Sequence, residues 1–251
     1  MMEFIVNYKI QISSSIEELS EQFAKLLIDG VNDCTDYFNI ALSGGSTPKR
    51  IFEYLASNHL NTINWSKINF FWSDERCVPP NDSESNYKMA YEALLSKLPI
   101  SSSNIYRIKG ENEPLLEAAN YSAEIINHLK NENNFPRFDL IMLGLGEDGH
   151  TASIFSNQLN LIKINGVCAV ATHPVSNQKR ITFTGKLINN AKNIVFIASG
   201  KIKSKIVNDI LKNKTDSKNY PASFIKPING NLIWLLDREA SILFKGNQNW
   251  K

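Results

Sequence analysis

The sequence predicts an α/β fold in which a parallel sheet is covered by helices on both faces. Three observations predict it. Short apolar runs alternate with amphipathic segments along the chain, the runs end in glycine-rich or polar turns, and helical periodicity follows most of those turns. The 251 residues carry no internal repeat and no low-complexity linker, so one domain spanning 1–251 is expected.

The elements follow in order. Ser15-Ile16-Glu17-Glu18 is a capping box, in which the Ser hydroxyl meets an orphan N–H and Glu18 reaches back. Ile16, Leu19, Phe23, Leu26 and Leu27 then recur at helical spacing. Phe38 to Leu42 is a buried-type strand that ends at Ser43-Gly44-Gly45-Ser46-Thr47-Pro48. Pro48 suits the first position of the next helix, where its missing N–H would be unpaired anyway, and Ile51, Phe52, Tyr54 and Leu55 continue it. Ile68 to Trp72 is a strand ending at Ser73-Asp74-Glu75-Arg76, with helices expected over about 86–95 and 115–129. Phe138 to Leu143 is a strand ending at Gly144-Leu145-Gly146-Glu147-Asp148-Gly149-His150. Arg180 to Thr184 alternates like a half-exposed strand. Ile194 to Ala198 is a strand ending at Ser199-Gly200, a helix is expected from Lys201 to Leu211, and Leu232 to Leu236 is the last strand. Residues 212–219 read as a surface loop. In parallel α/β sheets ligands sit beyond the carboxyl ends of the strands, and the unusual residues of this chain fall there.

Composition narrows the function classes. Lys+Arg 27 against Asp+Glu 25 gives a net charge of +2 and a pI of about 8.3. That is too mild for a dedicated nucleic-acid binder. No apolar run is long enough to span a membrane, and Met1-Met2-Glu3-Phe4 lacks the basic and apolar regions of a signal peptide. The expected location is the cytoplasm, with no nucleic acid, membrane or obligate protein partner. Cys34, Cys77 and Cys168 are odd in number and far apart, so no disulfide framework is expected. The His and Cys residues lack metal-ligand spacing, and no metal is expected.

The turns carry the chemistry. Gly44-Gly45-Ser46-Thr47 lies between a strand and a helix, where glycines admit a ligand to the backbone and a helix start offers free N–H donors. It reads as an anion cradle or as a helix start that binds nothing. It is not a Walker A loop. The Gly144 to Gly149 segment matches G-x-G-x-x-G, but a dinucleotide site needs an acid about 20 residues on, and residues 149–208 contain no Asp or Glu. The same stretch holds Lys163, Lys179, Arg180, Lys186, Lys192, Lys201, Lys203 and Lys205. It is either a positive field for a small anion or a compositional habit. His150 stands at a strand end beside Asp148, and imidazole can take a proton from water and return it to a leaving oxygen. Asp148 can fix its tautomer or help position a ligand. His59, His128 and His173 read as structural or surface residues. In Ser73-Asp74-Glu75-Arg76, Arg76 can grip an oxyanion and Asp74 can hold a water or hydroxyl; alternatively the segment is a solvated ion-pair turn.

Taken together these blocks are more specific. Ser43 to Pro48, Phe71 to Arg76, Asn86-Tyr87 and Gly144 to Phe155 occur in this order, extended by Arg180-Ile181-Thr182, Gly200-x-x-Lys203 and Pro221-Ala222-Ser223. The set closely resembles the glucosamine-6-phosphate isomerase/6-phosphogluconolactonase superfamily over about residues 10–240. Ser-Asp-Glu-Arg and Thr151-Ala152-Ser153 are similar to its lactonase branch. Ser199 stands where that branch commonly has Thr. The resemblance implies a doubly wound α/β domain with a mainly parallel sheet and a smaller antiparallel portion. It implies hydrolysis of 6-phospho-D-glucono-1,5-lactone to 6-phosphogluconate in the oxidative pentose phosphate pathway, without a cofactor. By the same resemblance His150 is the general base. Asp74 orients water or hydroxyls, and Arg76 holds phosphate or the oxyanion. Gly44, Gly45, Ser46, Thr47 and Gly146 belong to the binding loops, and Arg180 and Lys203 face the phosphate. The alternatives are deaminase-type isomerisation of glucosamine 6-phosphate and a non-catalytic phosphosugar-binding module.

Overall fold

The structure is a computed structural model that describes residues 8–132 and 134–244. The N-terminal tetrapeptide weighed above lies outside those residues. In chain order the first elements are β1 (Tyr8–Ser13), α1 (Ile16–Asp33), β2 (Phe38–Leu42), α2 (Ser46–Asn58), β3 (Ile68–Trp72), β4 (Asp74–Arg76), α3 (Asn86–Ala93) and α4 (Pro114–His128). There follow β5 (Asn131–Glu132), β6 (Phe135–Pro136), β7 (Leu140–Gly144), α5 (Asn160–Lys163), β8 (Cys168–Thr172), β9 (Lys179–Phe183) and α6 (Gly185–Asn189). The chain continues with β10 (Asn193–Ala198), α7 (Ser204–Leu211), β11 (Asn231–Asp237) and α8 (Arg238–Ser241).

Six strands form a parallel sheet in the order β1-β11-β10-β7-β2-β3. Every residue of β2 and β3 is buried, as expected of strands covered on both faces. From β2 the chain steps outward to β3, whereas from β7 it steps the other way through β10 to β11. Right-handed crossovers running in opposite directions put their helices on opposite faces. The reversal lies between β2 and β7, the point where such sheets open a crevice beyond the strand ends. Stacking of Phe196 on Trp234, at 4.3 Å between centroids, marks the core on one side of that point.

A second sheet, β4-β9-β8, is antiparallel. Ser73 links it to the first. Its N–H donates to Leu42 O at 2.8 Å, and its carbonyl accepts from Phe183 N at 2.8 Å. The mainly parallel sheet with a smaller antiparallel portion is therefore as the sequence and its resemblance imply.

Several local expectations need correction. Gly45 is the N-cap of α2, so Pro48 occupies the third helical position and not the first. Residues 181–184 are buried, not half-exposed, because aromatic rings of Tyr121 and Phe138 pack against Phe183. The helix expected from Lys201 opens as a 3-10 turn, with α-helix from Ser204. The 212–219 stretch holds a 3-10 turn at Thr215–Asn219 with Ser217 buried. Strands β1 and β8 carry no strong signal in the sequence: β8 is only partly buried and β1 lies at the sheet edge.

At the opposite edge, β3 is closed by side chain and loop. Tyr106 N donates to Phe70 O at 2.8 Å, and the Tyr121 hydroxyl accepts from Trp72 N at 2.9 Å and donates to Tyr106 O at 3.0 Å. The strand edge is thus satisfied by one loop N–H and one buried phenol. Tyr121→Phe leaves the Trp72 N–H without this partner and should cost about 1–3 kcal/mol. Urea unfolding checks this: the midpoint should fall with the slope unchanged.

Candidate active site

The two sheets meet over a cleft of about 600 Å³ at the carboxyl ends of β2 and β7. Strand alternation sorts the side chains of β4. Asp74 and Arg76 share one face and line the cleft, and Glu75 points to the other face. Glu75 is buried and accepts from Asn86 N, Tyr87 N and Arg76 N, each at 2.8 Å, and from Ser85 Oγ at 3.0 Å. It therefore fixes the start of α3 to β4 by satisfying that helix's first orphan N–H groups.

Asp74 is held rigidly. Its Oδ2 accepts from Ser153 Oγ at 2.6 Å, and its backbone oxygen accepts from Asn86 Nδ2 at 2.9 Å. Ser153 is itself placed by its N–H, which donates to Thr182 Oγ1 on β9 at 3.1 Å. Across the β4–β9 ladder Arg76 pairs directly with Arg180. Two cations opposite each other repel, and the buried Nε atoms of both have no partner. Burial pushes the Arg180 guanidinium below its usual value, with Asp74 pulling it back. Lys203, on the turn after β10, lines the same cleft, and its ammonium is also lowered by burial against the pull of Glu147 and Asp148. None of Arg76, Arg180 and Lys203 forms a salt bridge among the described residues.

The turn after β7 carries His150. Gly146 N donates to His150 O at 2.8 Å, which folds the turn back on itself. A Cβ at Gly146 would lie 2.1 Å from His150 Nδ1 and 2.6 Å from Asp148 Oδ1, so only glycine lets these two meet. Asp148 Oδ1 takes both the His150 N–H, at 3.1 Å, and His150 Nδ1, at 2.5 Å. Burial raises the Asp148 carboxyl, but the hydrogen bond and charge of His150 outweigh it and bring it down to about 2. Any stability this pair supplies is therefore present above the ordinary carboxylate value and lost as pH falls toward 2. Because Nδ1 faces a carboxylate, it carries the proton, and the lone pair of neutral His150 is on Nε2. The His150 ring is 28% exposed and packs on buried Phe155 with centroids 4.9 Å apart.

The cleft thus brings together Asp74, Arg76, Gly44, Gly45, Gly146, Asp148, His150, Arg180 and Lys203. Ser46 and Thr47 are not among the lining residues. The helix begins at Ser46, so these two contribute first-turn backbone. Gly45 provides no side-chain cap for α2, which leaves the N–H groups of that turn available to a ligand. The positioning roles of Ser153 and Asn86 have no local signal in the sequence, because they depend on contacts to Asp74 across 79 and 12 residues. His173, which reads from the sequence as a structural or surface residue, lines the cleft. His59 is buried on Glu21 at 2.9 Å, and His128 bonds Glu124 O at 2.8 Å. The three cysteines are free, with burial pushing Cys77 up to about 11 and Cys168 up to about 12. Among the described residues no group of His, Cys, Asp and Glu is arranged to hold a metal ion, and no helix is long and apolar enough to cross a membrane. A larger cavity of about 840 Å³ lies at the amino ends of the strands, but its cations pair within it, Lys192 with Asp139 and Arg137 with Glu132.

An open cleft at a sheet reversal, with a carboxylate-oriented imidazole and three cations without carboxylate partners, defines a class of α/β proteins acting on small anions. Comparison with known proteins is more specific. Residues 14–234 match the family of glucosamine-6-phosphate isomerases/6-phosphogluconolactonase, and the chain belongs to that family. The 6-phosphogluconolactonase of Treponema pallidum is 47% identical over 168 residues, 67% of this chain and 70% of that protein. That of Haemophilus influenzae is 43% identical over 203 residues, 80% of this chain and 85% of that protein. The structure of 6-phosphogluconolactonase from Trypanosoma brucei superposes with a TM-score of 0.86 at 29% identity, covering 95% of this chain and 99% of that one.

The packing of Gly44 generates a test of the site's construction. A Cβ there would lie 1.9 Å from Asn86 Oδ1. Gly44→Ala should therefore destabilise the wild type but have little further effect in Asn86→Ala, where the obstructing amide is gone. A double-mutant cycle in urea should return a coupling of about 1–3 kcal/mol, and additive losses would contradict this packing.

Proposed function

We propose that the protein hydrolyses 6-phospho-D-glucono-1,5-lactone to 6-phosphogluconate. The observation that carries the reading is the opposition, in one cleft, of an imidazole with a free Nε2 lone pair and a set of cations without salt-bridge partners. Family membership and the names of the relatives support the same substrate.

His150 Nε2 takes a proton from water as the oxygen adds to lactone C1. The tetrahedral intermediate then collapses with cleavage of the bond between C1 and the ring oxygen, and the imidazolium returns its proton to that oxygen. Asp148 remains ionised throughout and stabilises the imidazolium. Asp74, locked by Ser153 and Asn86, orients the water or a sugar hydroxyl. Arg180, Lys203 and the first-turn amides of α2 beside Gly44 and Gly45 receive the phosphate. Arg76, opposite Arg180, serves that phosphate or the oxyanion at C1. Binding energy from the remote phosphate orients the reacting end. No covalent intermediate is required, so a single general base with an anion clamp suffices for a reaction that already proceeds in water.

The direct test is a coupled assay with freshly generated phosphogluconolactone, corrected for spontaneous hydrolysis. Incubation with glucosamine 6-phosphate should release no ammonia, and brisk release would instead favour deaminase chemistry. His150→Ala should lower kcat by about 10²–10⁴-fold with the fold intact by circular dichroism; full retained activity would remove His150 from this role. Arg180→Ala and Lys203→Ala should each raise KM by roughly 10- to 100-fold with a smaller change in kcat, as expected when binding shared by ground and transition states is lost. Unchanged KM in both variants would put the phosphate elsewhere.

A further inference from the structure

His173 lines the active-site cleft but has no part in the mechanism above. It stands where β8 turns back into β9. Its N–H donates to Gln178 O at 2.9 Å and its carbonyl accepts from Asn177 N at 3.0 Å, so the hairpin fixes its backbone. Its ring is edge-on to Phe155, with centroids 5.2 Å apart and planes at 82°. The same phenyl ring carries His150 and lies under the Arg180 guanidinium at 5.6 Å. One buried aromatic therefore supports three polar groups of the cleft.

The two imidazoles are wired in opposite senses. His150 Nδ1 faces a carboxylate and must be a donor. His173 Nδ1 accepts from Val175 N at 3.3 Å and Ser176 N at 3.1 Å, so its proton is on Nε2. Burial and the charges of Arg180, His150 and Arg76 hold this imidazole below its usual range, against the opposing pull of Asp148. It is therefore uncharged at neutral pH, with Nε2–H as its free polar atom among the described residues.

We propose that His173 is a substrate-binding residue whose Nε2–H donates a hydrogen bond to an oxygen of the bound phosphosugar. His150 supplies a basic nitrogen to the cleft and His173 a neutral donor. A neutral donor discriminates by position where the adjacent arginines and lysine attract by charge. The inference rests on the lactonase reading for its substrate.

Two substitutions separate binding from a structural role. In His173→Asn the side-chain oxygen can take the place of Nδ1 and keep the turn, but nothing reaches the position of Nε2. In His173→Gln the amide nitrogen reaches the Nε2 position while the acceptor for the turn is lost. Steady-state kinetics on fresh phosphogluconolactone and calorimetric titration with 6-phosphogluconate are measured on the full chain. The expected result is a rise of about 5- to 50-fold in KM and in product Kd for H173N, a smaller change in kcat, and recovery of most of the affinity in H173Q. Loss in H173Q alone, equal loss in both variants or no loss in either would assign His173 to the turn and overturn the proposal. A wild-type protein that does not turn over the lactone would instead strike the reading on which the inference rests. The ratio of the two variants' affinities for 6-phosphogluconate is read independently of turnover.

Discussion

The hydrogen bond between Asp148 and His150 is the constraint from which the chemistry of this cleft follows. It decides which nitrogen of the imidazole carries the proton, and so which one is free to accept one. The bond exists because the chain reverses tightly after β7 and because Gly146 leaves room for both side chains. A two-residue separation brings acid and imidazole together, and the turn between them is held from outside by Ala222 N, which donates to Gly149 O at 3.0 Å. The carboxylate takes the backbone N–H of His150 as well, so the ring's attachment and its tautomer are set by the same oxygen.

The cationic side of the cleft depends on a different principle. Ser73 passes the chain from a parallel sheet to an antiparallel one, and strand alternation then sends Asp74 and Arg76 one way and Glu75 the other. Glu75 anchors α3, and α3 brings Asn86 back against Gly44 and Asp74. The Asn86 amide thereby bonds β4 while packing against the turn that follows β2, beside the Ser73 N–H bond to Leu42 O. Arg76 and Arg180 repel across the ladder, an arrangement that folding alone would not favour. Both side chains line the cleft, and the buried Nε of each has no partner.

Much of this was legible in the sequence for local reasons. Phe38 to Leu42, Ile68 to Trp72 and Ile194 to Ala198 are continuous apolar runs, and the turns that follow them hold the polar residues out of place in a core. Asp148-Gly149-His150 is readable because the interaction spans two residues. The remaining features depend on contacts distant in sequence. The opposition of Arg76 and Arg180 arises only when β4 meets β9, and Ser153 finds Asp74 across 79 residues. The segment 180–184 reads as half-exposed because its side chains alternate, but residues 181–184 are buried while Arg180 opens onto the cleft. His173 gave no signal because a polar turn does not reveal which strand ends it will overhang.

Nitrogen NMR of the ligand-free protein reads directly which ring nitrogen of each imidazole carries the proton. With ring nitrogens labelled, the neutral form of His150 should show a protonated Nδ1 and an unprotonated Nε2, with the reverse at His173. A His150 ring protonated on Nε2 in its neutral form would leave no base facing water and would contradict the account.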